Sequence, residues 1–323
     1  MNQELTAAPA AAARRSRLAG YLFALGAGAT WGTTGVLSTA LYAEGAALTG
    51  IGFWRVLIGT LGLAAWGWTF SPDLFRADRR GWLLVGLGGG ALVAVFEVAY
   101  QYAIAGTGVA GAAALLYTAP VIVAVLAQPI LGEVLTPVRV LLAVAVMIGA
   151  TLTVRGGSTG DVGAAAGDGL PGLAAGVVGG ALAALSYAGT TLLARWAVPR
   201  YGAVKVLFLE LAGGTVLLGL VLPLFGRPPA PPPTAGAWLY IVALAILTVL
   251  LANFFFFAAV RRIEAAPTAV AATIEPVVAT LLALAVFDQR LTTLGWLGLA
   301  LVVGGVAGGY WREAFGERRP VAP

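Results

Sequence analysis

The stretch APVIVAVLAQPILGEVLT, residues 119–136, and the stretch EPVVATLLALAVFDQRLT, residues 275–292, lie 156 residues apart and share one pattern. Pro120 matches Pro276, Leu126 and Ala127 match Leu282 and Ala283, and Thr136 matches Thr292. Apolar helices share many Ala and Leu by chance, so those identities carry little. The same offset of 156 also joins Trp82 to Trp238 and Trp31 to Tyr187. A constant register held by proline, tryptophan and a helix-ending threonine indicates an internal duplication.

Each copy is embedded in a strongly apolar chain. Of its 323 residues 60% are hydrophobic and 10% charged, with 19 basic and 14 acidic side chains. A soluble domain carries about 25% charged residues, so this chain cannot coat a water-facing surface, and a soluble enzyme is excluded. The mean hydropathy of +0.92 extends along nearly the whole length, which requires several membrane spans. Apolar runs bounded by charge, Pro or Gly place helices at about 18–41, 48–70, 81–104, 109–131, 137–154, 170–194, 203–225, 236–260, 267–287 and 293–311. The fold class is therefore an all-α polytopic membrane protein of ten transmembrane helices. Arg14, Arg15 and Arg17 precede a first run long enough to span, which reads as a retained helix and not a cleaved signal.

Short cytoplasmic loops collect Lys and Arg. With the N-terminus inside, fifteen of the nineteen basic residues fall on the cytoplasmic side, three outside, and Arg55 within helix 2. Both termini are then expected to be cytoplasmic, in a multi-pass membrane protein. The net charge of +5 reports topology, and no basic stripe suited to nucleic acid occurs.

Five spans per half is an odd number, so the two halves are expected to be inverted five-helix repeats. The organisation is an N-terminal tail 1–17, a first repeat 18–155, a Gly-rich external linker 156–169, a second repeat 170–311 and a C-terminal tail 312–323. The prolines of 228–233 make a stiff, extended connection. Inverted repeats place a site near the bilayer midplane and expose it to alternate sides.

Thr30-Trp31-Gly32, Trp54-Arg55, the run from Ala113 to Pro120 and Leu131-Gly132-Glu133-Val134-Leu135-Thr136 carry a resemblance, with second copies at Ala259 to Ala266, Glu275-Pro276-Val277 and Phe287 to Thr292. Across residues 18–311 the chain resembles the EamA-type ten-helix permeases of the drug/metabolite transporter superfamily. That family usually closes helices 4 and 9 with Gly-Glu. The first copy keeps Gly132-Glu133, and the second has Asp288-Gln289. The resemblance implies that helices 3, 4, 8 and 9, with 1 and 6, line a central cavity.

Ionisable side chains within a span face a cavity or a partner. Three acids lie inside spans: Glu97, Glu210 and Glu275. Glu97 shares a helix side with Tyr100 and Gln101, and its repeat mate is Asn253. It is expected to bind a substrate amine or to carry an exchanged proton. Glu275 stands beside Pro276, and Pro120 occupies the matching place in helix 4. Both prolines are expected to loosen the backbone by removing an amide donor. Arg55 and Glu210 are separated by roughly 13 Å in depth at 1.5 Å rise per residue, so each is expected to snorkel to its nearer interface. Trp31, Tyr117 and Tyr187 are candidate aromatic contacts for a cation or amino acid. The spacing of Gly28/Gly32, Gly172/Gly176/Gly180 and Gly304/Gly308 suits close helix packing.

The absence of Cys and His removes thiol chemistry and the usual zinc and soft-metal ligands, and no cofactor or metal is expected. No Walker A loop occurs, so a gradient or an exchange drives the function. The expected function is secondary transport, in the direction of export, of a small amphipathic metabolite of the amino acid or amine class, with protons as a candidate coupling ion. A multidrug or organic-cation efflux carrier is the alternative, and a polytopic membrane enzyme a remote one. The partners expected are a small-molecule substrate and the lipid bilayer, with oligomeric state left open.

Overall fold

The computed structural model describes residues 2–133, 135–156, 173–275, 277–278, 281–282 and 292–315. All regular structure among these residues is helical: α1 Asn2–Trp31, α2 Thr34–Ala43, α3 Leu48–Phe70, α4 Gly90–Leu116, α5 Ala119–Leu131, α6 Pro137–Gly156, α7 Leu173–Tyr201, α8 Ala203–Leu224, α9 Ala235–Leu244, α10 Ala252–Val260, α11 Ala265–Ala272 and α12 Thr293–Phe315. Two wide π-helical stretches, Gly81–Gly89 and Ala245–Leu251, lead into α4 and join α9 to α10. Five segments are long and apolar enough to cross a membrane: Leu48–Phe70, Gly81–Tyr100, Ala174–Tyr201, Ala203–Leu224 and Ala235–Val260. Ala119–Leu131, Pro137–Leu152 and Thr293–Gly309 are shorter apolar helices. Large apolar side chains such as Trp68, Leu220, Leu239 and Leu297 point outward, whereas Ala dominates the interior. That polarity suits a lipid solvent, in which small residues let backbones approach.

Helix boundaries differ from the sequence reading in ways that have local causes. The first span is interrupted at Gly32 and Thr33. There Thr30 donates its hydroxyl to the Gly26 carbonyl at 2.6 Å, and Thr33 donates to the Thr30 carbonyl at 2.7 Å. Such hydroxyls compete with backbone donors and bend a helix. Upstream, α1 is helical from Asn2, where a tail was expected, and α7 continues to Tyr201 beyond the expected end at 194.

No non-helical link separates the expected third and fourth spans, because the backbone stays helical from Gly90 to Leu116. Yet Leu116 and Ala99 pack in one cluster with Ala183 of α7. On a straight helix they would stand roughly 25 Å apart. Adjacent Gly179 and Gly180 of α7 likewise lie against Ala99 and Leu115, so the helical path bends sharply between Ala103 and Ala112, around the loop expected at 105–108. The non-helical break falls instead at Tyr117 and Thr118, and Pro120 takes the first turn of α5. A missing amide costs nothing there, so the expected mid-helix defect at Pro120 is not what forms. The second copy breaks at Thr273 and Ile274, again 156 residues on. The duplication is thus visible in the backbone. The Gly-rich linker at 157–169, Pro276, Asp288, Gln289 and the Gln101 side chain lie outside the described residues.

Two glycine crossings set the bundle. A Cβ on Gly28 would sit 2.2 Å from the Ala272 carbonyl oxygen, and one on Gly32 would sit 3.0 Å from that of Glu275. The expected small-residue face is therefore an internal contact that holds α1 against α11. Gly213 of α8 comes equally close to Gly86, where an added Cβ would meet the carbonyl oxygen at 1.8 Å.

Polar side chains gather at one end of α7. Lys205 donates to Asp73 at 2.6 Å, and Asp78 accepts from the Gly81 amide at 2.8 Å and the Tyr201 hydroxyl at 3.0 Å. The Lys205 ammonium holds the Asp73 carboxyl below its ordinary range, and the Gly81 amide and Tyr201 hydroxyl do the same for Asp78. Nearby, Glu133 follows the left-handed Gly132 that closes α5. Its carboxylate accepts the Ala265 amide at 3.0 Å and Arg195 Nε at 3.1 Å. Arg195 also donates to the Val260 carbonyl at 2.6 Å, and Arg139 pairs with Glu264.

Candidate functional site

The helices surround a cavity of about 150 Å³. Trp31, Thr34 and Ser38 reach it from α1 and α2, Arg55 from α3, and Phe96, Glu97 and Tyr100 from α4. The opposite wall is made by Tyr187, Thr190 and Thr191 of α7, Leu207 and Glu210 of α8, Thr248, Asn253 and Phe256, and Glu275. Helices 2 and 7 contribute the charged Arg55 and Glu210, which were not expected at the site. Leu116, from the far end of α4, also lines the wall.

Glu97 does not stand alone. Arg55 Nε donates to both carboxylate oxygens at 3.1 and 2.9 Å, and Nη2 donates to Oε1 at 2.5 Å. Both residues are buried, at 9% and 6% exposure. The expected snorkelling of Arg55 is corrected. Its head turns inward because a carboxylate sits at its own depth: Arg55 is seven residues past Leu48, and Glu97 seven before 104. Gly52, 3.3 Å from Glu97 Oε2 at a built Cβ position, leaves the room for that carboxyl. The depth comparison that dismissed an Arg55–Glu210 pair, applied to Glu97, would have found this one.

Glu210 is 1% exposed and its Oε1 has no hydrogen-bond partner among the described residues. It lines the cavity, so snorkelling is corrected here also. Gly89 faces it, with a built Cβ only 2.7 Å from Glu210 Cγ. Glu275 is half-buried at the interrupted end of α11, within electrostatic reach of Arg55, Tyr117 and Tyr187. Close packing of Gly28 and Gly32 against this segment delivers it to the cavity.

The repeat mates Trp31 and Tyr187 do meet. Their rings lie edge to face with centroids 5.9 Å apart, and Phe256 sits 5.4 and 5.9 Å from the two. Trp31 Nε1 donates to the Thr248 carbonyl at 2.9 Å. That carbonyl lies within the π-helical stretch Ala245–Leu251, whose register shift frees backbone acceptors. Asn253 donates its amide to Val249 at 2.8 Å and reaches Thr248 at 3.4 Å. Tyr100 stacks on Phe96 at 5.5 Å. Tyr117, by contrast, packs behind the wall with Ala150, Val277 and Val302 and does not line the cavity. Pro120 is buried in α5 away from it.

The lining carries three carboxyls, of Glu97, Glu210 and Glu275, against one guanidinium, of Arg55. Beside them stand an aromatic wall and several hydroxyls. The lining thus combines an excess of acidic groups with aromatic and hydroxyl surfaces.

Known proteins agree with this architecture. A protein of Archaeoglobus fulgidus described as an uncharacterized transporter is 29% identical over 246 residues, 75% of this chain and 79% of its own length. A crystal structure 21% identical in sequence superposes with a TM-score of 0.72, covering 91% of this chain and 97% of the other, and speaks for the fold alone. The model of the EamA-like transporter family matches twice, at residues 18–155 and 174–310. Two matches spanning both copies of the duplicated pattern place the assignment beyond shared hydropathy: the chain belongs to the EamA-like transporter family.

Proposed function

We propose that the protein is a secondary carrier of the plasma membrane. Ten spans in two inverted halves work by alternating access to export a small metabolite of the amino acid or amine class, with protons as the coupling ion. The observation that carries this reading is the buried Arg55–Glu97 fork at the wall of a cavity that also holds Glu275 and the Trp31–Tyr187–Phe256 aromatic group. A substrate carboxylate can take up Arg55 while its ammonium meets Glu97 or Glu275, exchanging one ion pair for two. The apolar part then lies on the rings. Because the exchange is nearly balanced in charge, it avoids stranding a buried ion. Glu275, which has no guanidinium fork of its own, suits proton carriage better than Glu97, whose charge Arg55 neutralises.

The excess of carboxyls over guanidinium favours a second reading, an organic-cation carrier. Flux of labelled amino acids, amines and dye cations into proteoliposomes, with and without a pH gradient, separates the two. Amino acid flux dissipated with the gradient supports the first. Broad dye-cation flux without amino acid flux supports the second, and no flux of any of them overturns both.

A further inference from the structure

The offset of 156 residues that relates the two copies also relates their polar groups. Glu97 maps onto Asn253, Arg55 onto Leu211, and Trp54 onto Glu210. The Arg55–Glu97 station on α3 and α4 thus maps onto Leu211 and Asn253, and Glu210 stands one residue before Leu211 on α8. Glu210 and Asn253 both line the same cavity. The two stations sit at different depths. Thr60 and Thr215 share a hydrogen bond of 2.8 Å, and Lys205 meets Asp73, which sets α3 and α8 antiparallel with residues 60 and 215 level. Arg55 and Glu210 each lie five residues from that level on opposite sides, a separation of roughly 15 Å at 1.5 Å per residue.

The stations differ in one respect. Arg55 neutralises Glu97, whereas the place of Arg55 is taken by Leu211 in the second copy and no described residue sets a cation against Glu210. A buried carboxylate with no partner costs several kcal/mol, so it stays neutral or takes a cation. The titratable groups that share the cavity are Arg55 of α3, Glu97 and Tyr100 of α4, Tyr187 of α7 and Glu275 after α11. Asn253 is the only one of these lining polar groups on α10, and no titratable residue lies in Gly81–Gly89. Arg55 is the single basic group among them, and its Nε and Nη2 donate to Glu97. Arg195, further along α7, is held by Glu133 and Val260.

We propose that Glu210 and Asn253 form a second binding station of the cavity, specific for an organic ammonium. There the carboxyl releases its proton to the solvent of the side the cavity then faces as the ammonium arrives, the ammonium replacing it as the positive partner, and the Asn253 side-chain oxygen accepts one of the ammonium N–H groups. The inference rests on the carrier reading and deepens it: the substrate's positive group passes between an ion-paired station and a vacant carboxyl as access alternates.

The test uses the wild-type protein in lipid vesicles with phenethylammonium as probe. Dicyclohexylcarbodiimide modifies protonated carboxyls in apolar surroundings, and peptide mapping locates the label. Glu210 is expected to be modified, and phenethylammonium to slow that modification at least tenfold where an equal concentration of sodium ion does not. Modification that the amine leaves unchanged overturns the proposal, as does label found on Glu275 with Glu210 untouched. In Glu210→Gln, binding of phenethylammonium should weaken at least tenfold, and in Glu210→Asp less. If the Gln variant does not fold, the wild-type labelling decides alone. Protection at Glu210 without flux in proteoliposomes would remove the carrier reading and leave the station; flux without protection does the reverse.

Discussion

Arg55 on α3 and Glu97 on α4 form a buried fork with three N–H···O contacts between 2.5 and 3.1 Å. Desolvating two ions is costly, and their mutual attraction roughly repays it when the geometry is good. In the function proposed above, such a pair is there to be opened by a competing zwitterion, and its net contribution to holding the bundle together is small.

Removing one member leaves the other charge buried and alone. Arg55→Ala and Glu97→Gln should each destabilise the protein, by about 3–5 kcal/mol for full loss of one partner, with the neutral Gln at the lower end. The double variant Arg55→Met/Glu97→Leu should recover most of that stability while remaining inactive in flux. Thermal unfolding in detergent and proteoliposome flux measure the two. A double variant as unstable as the singles would mean that the pair is a structural element.

Trp31 tests the aromatic wall. Trp31→Phe keeps a ring against Tyr187 and Phe256 but removes the donor to the Thr248 carbonyl, a loss of about 1 kcal/mol. Trp31→Ala also removes the packing, about 3–5 kcal/mol. Unfolding midpoints should rank wild type, Phe and Ala in that order. Equal midpoints for Phe and Ala would show that the hydrogen bond, and not the ring, carries the stability.

Much of this architecture was legible from the 156-residue offset and the hydropathy, because both report directly on burial in lipid. The offset foresaw that Trp31 and Tyr187 would be equivalent, and they touch. Six of the eight expected contact residues line the cavity: Glu97, Glu275, Asn253, Trp31, Tyr100 and Tyr187. What escaped was pairing between helices. A lone Arg in a span reads as snorkelling until its depth is compared with every acid, and Glu97 matched it. Tyr117 misled because helical spacing placed it near Pro120, while the break at Tyr117 and Thr118 turned its ring into the cluster with Ala150 and Val302. The π-helical stretches left no sequence signal that propensity could supply.

Helix spacing gives a third test. With an added Cβ only 1.8 Å from the Gly86 carbonyl oxygen, Gly213→Val forces α8 away from the Gly81–Gly89 stretch. Overpacking costs about 1–3 kcal/mol or more. Gly304→Ala, with open space around its Cβ, should be nearly silent. Thermal midpoints of the two variants compare them directly.

Acid should loosen the loop before Gly81. Asp78 is held below its ordinary range, first by the Gly81 amide and then by the Tyr201 hydroxyl. A depressed carboxylate contributes stability that is present above the unfolded value, about 3.9, and is lost as pH falls through the lower folded value. Asp78→Ala should therefore lower the thermal midpoint at pH 6 and match wild type once the pH is well below that range. A difference that persists unchanged into strong acid would point to lost packing.

The Glu133 clasp joins the two copies at one end of the bundle, and the alternating access proposed above requires that end to part. Glu133 belongs to the first copy, whereas Arg195, Val260 and Ala265 belong to the second. Losing hydrogen bonds to charged groups costs about 1.5–3 kcal/mol each, enough to shift a two-state equilibrium roughly tenfold or more. Glu133→Ala and Arg195→Ala should therefore raise the share of molecules open at this end. The chain contains no cysteine, so Leu207→Cys provides a single reporter in the cavity wall, four residues into α8 from its clasp-side start. In vesicles that turn the clasp outward, an impermeant maleimide should label this site about tenfold faster in either variant. In vesicles of the opposite orientation, labelling of a Ser38→Cys reporter should slow as the same equilibrium moves away from that side. Rates unchanged in both orientations would show that the clasp tightens a fixed loop and does not gate the cavity.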